Sequence, residues 1–201
     1  MLVSQAMSTP AVTVTPETPV KHAADLMAAR GFTVLPVVDG SLALVGVVSE
    51  GDLVVDRFPR DARWSTDRSV AEPAGEVGDV MTKQVVTASP SQDVRELLTR
   101  MRSERVRAVP VCDRDYVVGV VTYQDLIKVL ARADDQIAAD VRRRVAIYTT
   151  PGRFATDVSD GSVVLTDRMP DRDEWHTIRV LAEQIPGVVR ARVVAADQDG
   201  D

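Results

Sequence analysis

Residues 46–53 read GVVSEGDL, and residues 119–126 read GVVTYQDL. Each phrase holds a glycine, two valines, a small hydroxyl residue and, three positions after the hydroxyl, an aspartate. The phrases close a longer repeat. Met7 and Met81 lie 74 positions apart, as do Pro16 and Pro90, and Pro36 and Pro110. After a one-residue deletion the offset becomes 73, which pairs Gly46 with Gly119, Ser49 with Thr122 and Asp52 with Asp125. A register held over that length means two copies of one structural unit.

Each copy reads as strand, helix, strand, strand, helix. In the first, AVTV is a short β-branched run closed by Thr15-Pro16. A helix follows, with Thr18 suited to cap it, Pro19 to its first turn and Gly31 to its end. Val20, Ala23, Ala24 and Met27 form one apolar stripe, repeated by Val94, Leu97, Leu98 and Met101. The next strands, TVLPVVD and RAVPVCD, contain a proline, which belongs at a sheet edge or a bulge. Near-continuous valine in ALVGVVS and YVVGVVT suits strands covered on both faces. Helices begin after Ser49 and Thr122.

These residues carry a family resemblance. The "M-[ST]" at each start, the "PV" strand and the closing G-V-V-[ST]-x-x-D-[LI]-like phrase, doubled in order over residues 1–133, resemble a tandem CBS-domain pair, a Bateman module. The expected fold class is α+β. Two β-α-β-β-α repeats, 1–56 and 77–133, would pack as a pseudo-two-fold module with two clefts. Residues 57–76, rich in charge and without period, read as a linker.

Both Ser49–Asp52 and Thr122–Asp125 fall at a strand-to-helix junction. Unpaired N–H groups and the positive dipole end of a helix start suit phosphate. A hydroxyl there can donate to a phosphate oxygen, and an aspartate in the first turn can accept from ribose hydroxyls. The resemblance implies those roles for both pairs. The same spacing also describes a capping box, in which the residues serve only the helix. Arg105 and Arg107 precede the proline strand of the second copy, where the first has Gly31 and Thr33. In the family, basic residues in this stretch often meet phosphates, and arginine's forked donors suit that task; the alternative is a solvated arginine. The second copy is therefore favoured for a phosphorylated ligand. Val85, Val86 and Val109 would wall an adenine ring or simply fill the core, and Met81-Thr82 could add backbone groups. The resemblance also implies AMP, ADP, ATP or S-adenosylmethionine as ligand, and a homodimer whose contact surfaces are the helices after Asp52 and Asp125, the alternative being that VVDRF and IKVLARA are buried within one chain.

From Asp134 the repeat stops. DDQIAADVRRRVA reads as a helix with Ile137, Val141 and Val145 on one side. GRFATDVSDGSVVLTD reads as a hairpin turning at Asp160-Gly161, and DRDEWHTIRVLAEQI as a helix burying Trp175, Ile178, Leu181 and Ala182. PGVVRARVVAA is a final strand. This α-β-β-α-β order, with "DG.V.L" and "PGV..", resembles a BON domain over 134–197. At the close of VVLTD the family usually has glycine where this chain has Asp167. Such domains are associated with membranes, phospholipids or partner proteins. From Asp134 to the C-terminus there are 9 Lys/Arg against 13 Asp/Glu, which favours a protein partner, or packing against the CBS body, over an anionic membrane.

Composition sets further bounds. Of 201 residues, 45% are hydrophobic and 4% aromatic, so Val, Leu, Ala and Ile must build the core, and the formal charge of −6 argues against nucleic-acid binding. One cysteine permits no internal disulfide, and Cys112, equivalent to Val38, reads as a small core residue. No basic leader or long apolar run opens the sequence, so the cytoplasm is the default. His22 and His176 have no metal-ligand spacing, and no nucleophile, phosphate-loop or dinucleotide motif stands out. The expected protein is therefore no enzyme and holds no obligate cofactor. It is a regulatory sensor of an adenine nucleotide or adenosyl ligand, or else a dimeric scaffold that binds none.

Overall fold

The structure, a computed structural model, describes residues 1–55, 57–58, 74–169 and 172–196. Most of the linker, including Trp64, lies outside the described residues. The elements are α1 (Val20–Arg30), β1 (Val34–Val38), β2 (Leu44–Ser49), α2 (Glu50–Val54), α3 (Val77–Val80), α4 (Val94–Ser103), β3 (Ala108–Asp113), β4 (Tyr116–Thr122), α5 (Tyr123–Leu130), α6 (Asp134–Ala146), β5 (Phe154–Ser159), β6 (Ser162–Asp167), α7 (Trp175–Glu183) and β7 (Arg190–Ala195). A single 3-10 turn, Val3–Gln5, precedes them. The chain divides into two compact units. One comprises Met7–Gln92 and Leu97–Thr122; the other comprises Met1–Ala6, Asp93–Glu96 and the chain from Tyr123 onward.

In the first unit, β1 pairs antiparallel with β2, and β3 with β4, each pair with one register shift at the same place, Val37/Val38 and Val111/Cys112. The expected leading strand of each copy shrinks to one parallel bridge, Val14 to Val37 and Ala88 to Val111. That bridge explains the prolines. Val14 N–H donates to the Pro36 carbonyl, and Val38 N–H donates to Val14; Ala88, Pro110 and Cys112 repeat the pattern. The missing proline N–H is never called on, so both prolines sit buried beside the bulge rather than on an open edge.

The copies also exchange their lead-ins. Thr82, from the start of copy two, bridges Val47 of copy one, and Ser8, from the start of copy one, bridges Val120 of copy two. Further upstream, the Gly75 carbonyl accepts from Val20 N–H and Pro16 accepts from Gly78 N–H. In the second unit Met1 and Val94 repeat the Gly75–Val20 bond. The Met1 carbonyl takes the first N–H of α4, where Asp93 Oδ1 also accepts from Arg95 N–H at 2.8 Å, and the Gly75 carbonyl takes the first N–H of α1, which has no side-chain cap. Thr18, expected as that cap, instead accepts from Thr15 N–H at 3.0 Å, and Pro19 takes the N-cap position.

The core of copy one gathers Val14, Val20, Ala23, Met27, Leu35, Val37, Val48, Leu53 and Val77. Ala24, expected on the stripe of α1, is exposed; Leu26 packs against the core in its place. Copy two buries the matching Val94, Leu97, Met101, Val109, Val111 and Val121, together with Cys112. Burial and the charge of Asp115 push the Cys112 thiol up from its ordinary range.

In the C-terminal domain the strand order is β5-β6-β7, antiparallel then parallel. Ile137, Val141 and Val145 of α6 and Ile178 and Ala182 of α7 pack with Phe154, Val163 and Leu165 from one sheet face. Asp160 and Gly161 both have positive φ, 50° and 70°, which fits a two-residue hairpin turn. The Asp134 carboxylate accepts both of their N–H groups, at 2.8 and 2.9 Å.

Candidate functional site

The two hydroxyl–aspartate pairs do fall at strand-to-helix junctions. Ser49 closes β2 and is the N-cap of α2. Its Oγ accepts from Asp52 N–H at 3.4 Å, while Asp52 Oδ2 accepts from Ser49 N–H at 2.8 Å and from Ser49 Oγ at 2.7 Å. This is a complete capping box, so the hydroxyl and carboxylate of the first junction serve each other. Ser49→Ala is expected to cost about 1 kcal/mol, read as a shift of the urea midpoint.

In copy two, Thr122 closes β4 and Asp125 lies in the first turn of α5. Asp125 is buried, 7% exposed, with Lys128 Nζ at 3.7 Å from Oδ1. Asp52, its counterpart, is only half-buried. A carboxylate taken out of water needs donors, from the protein or from a guest.

Arg107 stands exposed just before β3, whose Ala108 lies opposite Thr122 in the β3/β4 register. Strand pairing thus brings Arg107 and Thr122 to the same end of the hairpin. Arg105, also exposed, has φ 56° and repeats the left-handed Gly31 that ends α1. Val85 and Val86 are half-buried, ahead of the Ala88 bridge, while Val109 is fully buried. Met81 packs against the core of copy one, where a Cβ on Gly46 would stand 2.7 Å from its sulfur. The segment beside Gly119 is Met7-Ser8 instead. Sequence reasoning grouped each "M-[ST]" with its own copy; the 74-residue offset, followed upstream to Val3 and Val77, is the signal that the repeat begins earlier.

Both histidines are exposed on helices, and no group of three or more potential metal ligands occurs among the described residues. Among them, too, no helix is long and apolar enough to cross a membrane.

The CBS-domain family profile matches residues 3–55 and 77–132, more than half of the chain. The chain belongs to the CBS-domain family. Among solved CBS pairs, that of protein MJ0100, in complex with 5′-methylthioadenosine and S-adenosyl-L-methionine, is 26% identical; the match covers 64% of this chain and 94% of that one, with a TM-score of 0.53. CBSX2 in complex with AMP is 27% identical over 63% of this chain and 94% of that one, with a TM-score of 0.54. A homoserine O-acetyltransferase of Methanohalobium evestigatum is 30% identical over 55% of this chain, but the match covers 20% of that protein. The chain thus spans a fifth of that relative's length.

Proposed function

We propose that this chain is a regulatory sensor whose CBS pair binds an adenine nucleotide or adenosyl ligand. The second junction is the binding position: Thr122 and Arg107 take phosphate, Asp125 takes ribose hydroxyls, and Val86 and Val109 lie on the base side. The observation that carries this reading is the likeness to solved CBS pairs that hold S-adenosylmethionine, 5′-methylthioadenosine or AMP over nearly their whole length. The burial of Asp125 in the first turn of α5 supports it, as does the register that sets Arg107 and Thr122 at one end of the β3/β4 hairpin. Ser49 and Asp52, engaged with each other, favour a structural part for copy one, and Met81 belongs with that copy.

In this reading the chain performs no chemistry of its own and works in the cytoplasm. Its CBS repeats span 1–56 and 77–133, and exposed Val54, Val55, Ile127 and Leu130 near α2 and α5 form the homodimer contact. The BON-like domain, 134–197, passes the ligand state to a protein partner. A ligand shifts the balance between dimer arrangements only by its differential affinity for them.

A thermal-shift screen tests the proposal. At 100 times its dissociation constant, a ligand adds about 2.7 kcal/mol of apparent stability, or roughly 5–10 °C for a chain of this size. AMP, ATP, S-adenosylmethionine or 5′-methylthioadenosine is expected to give such a shift and GTP none. A flat response to all the adenine compounds would leave the CBS pair as a ligand-free dimeric scaffold.

A further inference from the structure

Among the described residues, the three-stranded sheet of the C-terminal domain is covered on one face only. Phe154, Val163 and Leu165 point to α6 and α7, so the alternate residues point away from the helices. Asp157, in β5, lies opposite Val164 in β6, which lies opposite Arg192 in β7. These three form one row across the open face, with the acid at one flank and the base at the other. Strand spacing puts Asp157 and Arg192 about 10 Å apart. Both are exposed, and among the described residues neither has an ion-pair partner.

We propose that this open face pairs with the same face of a second copy, around a two-fold axis that runs along β6 at Val164. Rotation about that axis exchanges the flanks. Asp157 of each copy then meets Arg192 of the other, twice, on either side of a Val164–Val164 contact. The next row, Ala155 on β5 and Val194 on β7, brings small apolar groups together in the same way. An axis across the strands would instead stack Asp157 on Asp157 and Arg192 on Arg192, so charge selects one arrangement. Such an isologous contact closes on itself, and complementary charge fixes its orientation more than its strength. Three six-residue strands offer about 300 Å² per copy, well under the roughly 800 Å² of a stable interface. The pairing is therefore weak and concentration-dependent, and independent of any bound nucleotide.

The test uses the full chain with Cys112→Val, a change to the residue that copy one carries at this position, and a single new cysteine, Val164→Cys. A short bismaleimide is expected to link this variant into a dimer at least about tenfold faster than a control with Thr177→Cys on the exposed side of α7. Adding Asp157→Arg alone, or Arg192→Asp alone, should slow the reaction about tenfold, and the two reversals together should restore it. A chain with Ala155→Cys and a chain with Val194→Cys, mixed, should link to each other faster than either links to itself. Linking no faster than the control, or at a rate that neither reversal changes, overturns the proposal.

Discussion

Asp167→Ala is expected to lower the stability of the C-terminal domain by about 3–5 kcal/mol, the usual cost of removing one partner of a buried ion pair. Asp167 is 1% exposed and Arg153 is 9% exposed. The guanidinium meets the carboxylate with two parallel bonds, Nε to Oδ1 and Nη2 to Oδ2, both 3.0 Å. Trp175 Nε1 donates to Oδ2 at 2.8 Å, Met169 N–H donates to Oδ1 at 3.0 Å, and Arg153 Nη1 reaches Glu174 at 2.7 Å. Alanine would strand a buried guanidinium and the indole N–H together. Glycine, usual for the resembled family at this position, could not hold this cluster.

The same cluster predicts acid sensitivity. Burial pushes the Asp167 carboxyl up, but bonds from Arg153, Met169 and Trp175, with the Arg153 charge, hold it below the ordinary carboxylate range. A folded-state pKa below the unfolded one stabilises the fold at pH above the ordinary carboxylate value, about 3.9, and that stability is lost as pH falls toward the depressed value. Urea unfolding followed by Trp175 fluorescence in a Trp64→Phe chain reads both effects. Wild type should weaken on acidification through this range and Asp167→Ala should weaken less. A variant within about 0.5 kcal/mol of wild type, or with the same acid slope, would remove the cluster from the account.

Gly119→Val should cost about 3 kcal/mol and Gly119→Ala about 1–2 kcal/mol, the range for overpacking a close contact. A Cβ at Gly119 would stand 2.9 Å from the Ser8 carbonyl oxygen and 2.7 Å from the Met7 sulfur. The methionine can swing aside, but the Ser8 backbone is bonded to Val120 in both directions. Gly46→Ala meets Thr82 oxygen at 3.1 Å and a flexible Met81, so it should cost less. Gly40→Ala, with nothing within 4 Å, should change stability by under about 0.5 kcal/mol. The urea midpoint should fall in that order with an unchanged slope; equal values for all three would mean that the exchanged lead-ins do not hold the copies together.

The repeat was legible because its apolar positions face the same core twice, which fixes residue type at Val20 and Val94 or Leu35 and Val109. The exchange of lead-ins was not, since its bonds are backbone to backbone and restrict side chains only at Gly46 and Gly119. The cap of α1 was misread for the same reason: a carbonyl from Gly75 leaves no side-chain signature. Asp167 stood out only as a departure from a resembled family. Its partner Arg153 becomes visible when the β5/β6 register sets Phe154 opposite Asp167. At the junctions, spacing alone described both a cap and a nucleotide site, and the copies differ in burial: Asp52 is half-buried in a box with Ser49, whereas Asp125 is buried, with Lys128 nearby.

Titration calorimetry of AMP and S-adenosylmethionine into wild type, Asp125→Asn and Asp52→Asn bears on that difference most directly. With a sensor built on the second junction, at least one of the two compounds should bind wild type, Asp125→Asn should weaken it at least about tenfold, and Asp52→Asn should leave affinity within about twofold. Equal affinity in wild type and Asp125→Asn, or a loss confined to Asp52→Asn, would contradict it.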